Sequence, residues 1–585
     1  MASEKNKFIP DWYEGKTPQQ SFRSLFKWHD PNQFKHPNQG FTKLLRDTFH
    51  LTDKDFSDPN LCLDLVADNI PSKLSGDVKK SLVKIVGAEN VSTDTYSRLR
   101  VSYGAGMIDI VRLREKKIEN ICDAVINPKN RQDIEAIVHL CNTKKIPITV
   151  YGGGSTVTRG MEAVHGGISL DMSVHMNKVL AFNEIDQTIT VQPGIYGPAL
   201  EEKLNNAPEH FASKHRYTCG NFPQSFEHSS VGGWVVTRGA GQNSTYYGKI
   251  EDLVLAQEYV TPIGRITTKS YPRQATGPDI DQIMIGSEGC FGILTAVTLR
   301  VFKFQPQNTR RFSFLFRSWE DATGAYREIM QGEFGYPSVF RLSDPEETDT
   351  ALRIYHIHAT PADTILKILG FKPMWRCLLL GTADGDQSAT RLIKRKIRRI
   401  CRKHKALNLS SFQVTKQWEH SRFTDPYMRE DLLDFGILID TLECAVSWHQ
   451  LIDVHASVRA FVKSHPNVIC MTHISHAYPQ GANLYFIFII QYKNINQYLK
   501  LQYGILEKIS QSGAAMSHHH GIGKQTAPWL ESQIGTSSMQ VIRALKNLFD
   551  PNNIMNPGGT LGLDMSREQK DKIWGMQNFT EEDHA

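Results

Sequence analysis

Three successive glycines, Gly152-Gly153-Gly154, followed by Ser155-Thr156, stand directly after the apolar run Ile146-Pro147-Ile148-Thr149-Val150-Tyr151. Glycine lets backbone N–H groups approach an oxyanion that any Cβ would hold off, and the two hydroxyls add donors. This is the make-up of a pyrophosphate cradle at the end of a buried strand. It is not a Rossmann fingerprint, because no helix-packing glycine follows at the required spacing, and not a Walker loop, because Gly-Lys-Ser/Thr is missing. Alone, the motif reads as a tight turn. Further blocks change that reading: Ser225-Phe226-Glu227-His228-Ser229-Ser230-Val231-Gly232-Gly233-Trp234-Val235-Val236-Thr237-Arg238-Gly239-Ala240-Gly241, then Tyr247-Gly248-Lys249-Ile250-Glu251-Asp252-Leu253-Val254, then Ile285-Gly286-Ser287-Glu288-Gly289-Cys290-Phe291-Gly292-Ile293-Leu294-Thr295. They place small or hydroxyl residues where a backbone must lie flush against a ligand.

The elements that would carry these blocks are legible from periodicity. Apolar Ile134, Ile137, Val138 and Cys141 recur at helical spacing, and the runs at 146–151, 168–171 and 188–191 read as strands. The alternation predicts an α+β or α/β nucleotide-binding lobe over residues 121–301. Residues 1–120 read as a helical N-terminal extension, 302–517 as a cap over the substrate, and 518–585 as a C-terminal segment with a histidine-rich loop and terminal helices. The stretch Arg391–Lys403 places Ile393, Ile397, Ile400 and Cys401 on one helical stripe among basic residues, which suits a solvated helix face or a helix docked on anionic lipid.

A chain of 585 residues with 40% hydrophobic residues is too long for one core. Its net charge of +6 is small and not gathered into basic tails, which argues against a nucleic-acid partner. The nine cysteines are widely spaced without a Cys-x-x-Cys pair, which fits structural thiols better than disulfides or zinc. No run approaches the ~20 apolar residues of a spanning helix. Met1-Ala2-Ser3-Glu4-Lys5 lacks a signal-peptide core, and Asp583-His584-Ala585 is not a Ser-Lys-Leu-type address.

The four glycine-rich blocks resemble the FAD-binding domain of the vanillyl-alcohol-oxidase and p-cresol-methylhydroxylase superfamily, over about residues 122–301. The resemblance implies a two-lobed α+β flavoprotein with non-covalent FAD. It also implies cofactor contacts at Val150-Tyr151-Gly152-Gly153-Gly154-Ser155-Thr156, Gln224-Ser225-Phe226-Glu227-His228-Ser229-Ser230, Thr237-Arg238-Gly239-Ala240 and Gly286-Ser287-Glu288-Gly289-Cys290-Phe291-Gly292.

Related 2-hydroxy-acid dehydrogenases carry His-x-Gly-Asp-Gly-Asn-Leu-His and Glu-His-Gly, which supply metal ligands. Here Ala482, Tyr485 and His519 stand at the aspartate, second-histidine and glutamate positions, which leaves too few ligands to hold a divalent ion firmly. The altered pattern, with Ser517-His518-His519-His520-Gly521-Ile522-Gly523-Lys524 and Asp550-Pro551-Asn552-Asn553-Ile554, is similar to alkyldihydroxyacetonephosphate synthases. That resemblance implies exchange of the acyl chain of acyl-dihydroxyacetone phosphate for a long-chain fatty alcohol. The exchange runs through a covalent adduct at flavin N5, redox-neutral, in ether lipid synthesis, by a peripheral, membrane-associated peroxisomal homodimer. It casts Tyr485 as the acid/base. An unperturbed tyrosine titrates near ~10, so this one needs cationic or hydrogen-bonding neighbours to act as a base. The histidines are candidates for that role. In an extended segment His518 and His520 would face one way and His519 the other, with His520, beside Gly521, expected to move the proton or bind phosphate. Arg341 and Arg429 match arginines of the family's active site, and their forked donors suit a phosphate dianion.

Overall fold

The computed structural model describes residues 10–566 apart from 11 and 356, together with 568; residues 1–5 and 583–585, read above for targeting, lie outside them. The chain forms an α+β fold of two lobes. In the first, the strand Ile148–Tyr151 pairs in parallel with Ile168–Asp171, and that strand in turn with Ala124–Ile126. The helix Arg131–Lys144 covers this small sheet with Ile134, Ile137, Val138 and Cys141, the stripe that its spacing predicted. An antiparallel sheet of five strands follows, Val179–Asn183, Thr188–Val191, Ile293–Arg300, Val254–Thr261 and Gly264–Thr267 in spatial order. The glycine-rich blocks leave the ends of these strands and face the second lobe.

The second lobe is built on an antiparallel sheet of seven strands. At one end Ile437–Ser447, Gly481–Gln491 and Ile469–Ile474 lie side by side, with Gly481–Gln491 in the middle. Side chains alternate along a strand, so the run from Leu484 to Ile490 sorts into two faces. Phe486 and Phe488 are fully buried with the helices Leu451–Lys463 and Ile495–Gln511, whereas Tyr485, Ile487 and Ile489 face the other lobe. The helix Gln387–Lys403 buries Ile393, Ile397 and Cys401 and leaves most of its basic residues in solvent, with Ile400 half-buried.

The described residues before 121 serve both lobes: the helix Gly76–Val86 and the strand Val91–Ser92 join the small sheet of the first, and other segments enter the second. The helix Met107–Arg114 is buried along its whole length, and Phe26, Phe41, Leu45 and Phe49 enter the cores beneath the large sheet. Arg23 and Arg114 both reach Asp434 at 2.9 Å. Periodicity finds the helices here but cannot show where they dock.

Candidate active site

A cavity of about 660 Å³ runs between the lobes. One wall is the glycine-rich cradle. Among the described residues, the backbone N–H groups of Gly153, Gly154, Ser155 and Thr156 have no protein acceptor. Four consecutive free donors at the end of a parallel strand are what a pyrophosphate satisfies. The glycines serve packing as well: a Cβ on Gly153 would sit 1.8 Å from the His228 carbonyl oxygen, and one on Gly152 2.1 Å from the Ser230 hydroxyl. The first cofactor block thus closes directly on the second.

All seven residues of the 150–156 block line the cavity, with Gln224, Ser225, Ser230, Thr237, Gly239, Ala240, Glu288, Gly289 and Gly292. Other residues expected at the cofactor stand behind this wall. Phe226, Cys290 and Phe291 are buried in the apolar core of the first lobe. Ser229 accepts from the Trp234 indole at 2.7 Å, Arg238 donates to the carbonyls of Ile285 and Gln282, and Gly286 is packed against the Arg238 side chain. Ser287 and His228 are buried and Glu227 is half-buried, none of the three at the cavity wall. None of these nine residues lines the cavity, because their side chains or backbone pack within the first lobe.

The opposite wall is the face of the large sheet. Tyr485 sits in register with Glu443 on one neighbouring strand and His473 on the other, so the three side chains share that face. Its hydroxyl donates to Thr441 Oγ1 at 3.0 Å, and its ring stacks on His473 at 4.8 Å and His519 at 5.9 Å, with His520 edge-on at 5.5 Å. Burial pushes its phenol up to about 12, opposed by the hydrogen bond with Thr441 and more weakly by Arg429, and helped by the charges of Glu443 and Asp440. At rest it is a proton donor. Further along the same strands, Ile487, Met471, Ile439 and Ile489 continue this face as an apolar wall, joined by Phe41, Ile354 and Met428. One end of the cavity is polar and the other apolar.

The segment 517–520 is a tight turn rather than an extended strand, which overturns the expected alternation of its histidines. The cause is Glu443, whose buried carboxylate accepts the N–H of His518 at 2.7 Å, those of His519 and His520 at 3.1 Å, and the Ser517 hydroxyl at 2.7 Å. Burial works against this charge, but the two imidazoles, the N–H donors and Ser517 hold Glu443 down at about 2. Wrapped round it, the turn presents His519 and His520 to the cavity and sends His518 away to the Tyr478 hydroxyl at 2.7 Å. Burial lowers all three imidazoles, His519 to about 3, so they are neutral at pH 7. A second carboxylate, Glu288 of the first lobe, takes the N–H groups of Ile522 and Gly523 at 2.7 and 2.8 Å, and burial raises it to about 7. The backbone of the histidine loop is therefore held by the protein's own carboxylates.

Both arginines reach the cavity. Arg341 donates to Glu347 at 2.7 Å, with His473 Nδ1 3.0 Å away. Arg429 lies on the helix Asp425–Leu433, and one of its terminal nitrogens donates to the Ala105 carbonyl at 3.0 Å. Two triads, His476/His518/His519 and Glu443/His519/His520, bring ligand-type atoms within 4.8 Å of one another, closer than the count of motif residues suggested. Several of their polar atoms are already engaged: His476 with the Ser244 hydroxyl at 2.7 Å, His518 with Tyr478 and with the His519 ring, and Glu443 with the turn. Sequence reasoning missed Glu443, Glu347 and His473. The available signal was a charged residue inside an apolar strand, which demands a buried partner.

A cradle for a dinucleotide facing a wall of tyrosine, imidazoles and arginines defines an FAD-dependent enzyme of the FAD-linked oxidase architecture. Two family models agree: "FAD binding domain" matches residues 122–270 and "FAD linked oxidases, C-terminal domain" residues 305–560. The chain belongs to the alkyldihydroxyacetonephosphate synthase family: it is 30% identical over 509 residues to the alkyldihydroxyacetonephosphate synthase of Dictyostelium discoideum, covering 83% of this chain and 81% of that one. A solved alkyldihydroxyacetonephosphate synthase superposes with a TM-score of 0.75 at 25% identity over 91% of this chain and 98% of its own. Substrate-bound p-cresol methylhydroxylase shares the fold alone, with a TM-score of 0.63 at 15% identity, over 85% of this chain and 99% of its own.

Proposed function

We propose that this enzyme replaces the acyl chain of acyl-dihydroxyacetone phosphate with a long-chain fatty alcohol, releasing the fatty acid, in ether lipid synthesis. The observation that carries this reading is the division of one cavity into a polar end, with Tyr485, His519, His520, Arg341 and Arg429, and an apolar end lined by Ile439, Met471, Ile487 and Ile489. A phosphate headgroup suits the first and an alkyl chain the second. The N–H groups of 153–156 and the blocks at 224–230, 237–240 and 286–292 would hold FAD without a covalent link. FAD supplies a reversible covalent electron sink at its N5 atom, so that the exchange needs no external acceptor.

Arg429 and Arg341 hold the phosphate dianion. Tyr485 is the acid/base at the carbon that bears the ester. Keeping its phenol ionised near pH 7.5 would cost ~6 kcal/mol at ~1.4 kcal/mol per pH unit, so its proton moves in concert with transfer to a neutral imidazole of His519 or His520. Bound phosphate and Glu443 both favour an imidazolium there. The segments 1–120, 121–301, 302–517 and 518–585 act as N-terminal wall, cofactor lobe, cap and catalytic loop.

Peripheral membrane contact, in a peroxisomal homodimer, completes this reading. It is supported by the helix Pro361–Ile368, which is inverted: its Asp363 is buried against Arg376 at 2.6 Å, while Ile365, Ile368 and the nearby Trp375 stand 57%, 79% and 63% exposed. No helix among the described residues is long and apolar enough to cross a membrane. Purified protein given acyl-dihydroxyacetone phosphate and labelled hexadecanol under nitrogen should form labelled ether and an equal amount of free fatty acid. Absence of ether from FAD-loaded protein refutes the proposal.

A further inference from the structure

Arg429 is placed by residues four hundred positions away. The helix that carries it holds three buried carboxylates, Glu430, Asp431 and Asp434. An unpaired charge in such a position costs several kcal/mol, so the partners of these acids decide where the helix lies. Arg23 reaches Asp431 at 3.1 Å and Asp434 at 2.9 Å, and Lys27 reaches Asp431 at 2.6 Å. The N–H of Trp28 donates to Glu430 at 2.9 Å and that of Lys35 to Asp431 at 2.8 Å. Residues 21–36 thus form a strap across the helix, tied to each of its acids.

Trp28 and Lys35 of the strap line the cavity, and Trp28 lies beside Arg429. Trp28 has the Arg429 guanidinium 5.6 Å from its ring and the imidazole of His228 edge-on at 4.3 Å on the cofactor lobe. Its main-chain bond to Glu430 fixes the indole next to the arginine it faces. One terminal nitrogen of Arg429 donates both to Ala105 at 3.0 Å and to Glu430 at 3.4 Å, and its Nε has no partner among the described residues. An indole face attracts a guanidinium without consuming its N–H donors, so the fork stays available for a ligand.

We infer that Trp28, delivered by the strap, is a positioning residue that orients Arg429 towards the phosphate of the substrate and sets its distance from the cofactor block. This rests on the function proposed above. It gives residues 21–36 a part in the active site that their sequence does not disclose. Trp28 touches no reacting atom; it acts through Arg429.

The test uses full-length, FAD-loaded protein, titrated with dihydroxyacetone phosphate and followed by flavin absorbance. Trp28→Leu should raise the Kd on the order of tenfold, the range expected for a desolvated cation–π contact. Trp28→Phe, which keeps an aromatic face, should fall between the two. Flavin content, melting temperature and the KM for hexadecanol should stay at wild-type values, which a merely structural role would not produce. A Kd for Trp28→Leu within twofold of wild type overturns the inference, as does a Trp28→Phe variant no better than the leucine variant. Wild-type protein that does not respond to dihydroxyacetone phosphate overturns the synthase reading instead. The strap is then judged by phenylglyoxal labelling of Arg429, located by peptide mass spectrometry: Trp28→Leu should label several-fold faster, and an unchanged rate overturns the inference.

Discussion

Glu443→Gln should cripple the enzyme while leaving its flavin in place. The native carboxylate is the centre round which the turn at 517–520 is wound: it accepts three N–H groups and one hydroxyl, whereas Lys249 adds a bond to the His518 carbonyl and Ser517 one to the His520 N–H. Charge-assisted bonds contribute about 1.5–3 kcal/mol each and neutral ones about 1. An amide keeps one acceptor oxygen for the Ser517, His519 and His520 donors but loses the charge. Its NH2 also replaces the oxygen 2.7 Å from the His518 N–H, which is left with the amide oxygen at 2.9 Å while a second donor stands beside it. Losing roughly 0.5–1 kcal/mol of charge assistance on each of four bonds gives about 2–4 kcal/mol. The turn would relieve this by shifting, and a shift of ~1 Å in groups that must meet a substrate costs on the order of a hundredfold in rate. Glu443 does not line the cofactor cradle, so flavin content and absorbance should hold. The assay is single-turnover formation of labelled ether beside thermal unfolding. A variant with ether formation within threefold of wild type and an unchanged melting temperature refutes the argument that this carboxylate shapes the loop.

Tyr485→Phe removes the acid/base but only one hydrogen bond, to Thr441; ether formation should fall 10²- to 10⁴-fold with stability within about 1 kcal/mol of wild type, and a retained rate removes Tyr485 from the mechanism. His228 is buried with neither ring nitrogen partnered, and burial lowers it to about 3. Its folded pKa lies below the unfolded value near ~6.5, so the unfolded chain binds the extra proton; this contribution to stability is complete above pH ~6.5 and lost as pH falls towards 3. Between pH 6.5 and 5 wild type should therefore lose about 2 kcal/mol more than His228→Phe, read by denaturant unfolding, and parallel profiles would show that this imidazole does not titrate on unfolding. Exhaustive treatment with EDTA should leave ether formation unchanged; loss of activity restored by zinc or manganese would turn the histidine cluster into a metal site and favour hydroxy-acid oxidation. The double variant Ile368→Glu/Trp375→Glu should lose at least tenfold in binding to anionic vesicles, since burying one such side chain is worth about 1.5–3 kcal/mol, and unchanged co-sedimentation removes this helix from membrane docking.

Local patterns carried much of the design. The helix at 131–144, the strands at 148–151 and 168–171, and the glycines that let one cofactor block close on another all follow from residues near one another in the chain. The motif blocks at 485 and 518–524 likewise pointed to the reacting end of the cavity. Periodicity could not say which face of the Leu484–Ile490 run was core, because both faces are apolar apart from Tyr485. It could not distinguish an extended histidine segment from a turn either, because the residue that winds the turn is 75 positions away.

What the sequence by itself determined is therefore the chemistry on offer: a dinucleotide cradle, a tyrosine, a set of imidazoles and two arginines. Only the tertiary structure decided how these are aimed. Glu443 selects which histidines face the cavity, the antiparallel register sets Tyr485 between Glu443 and His473, and the strap from residues 21–36 holds Arg429. The reason is physical. A glycine or a helical stripe expresses its preference through its own backbone, whereas a buried charge is neutral as to direction until a partner, at any distance along the chain, satisfies it.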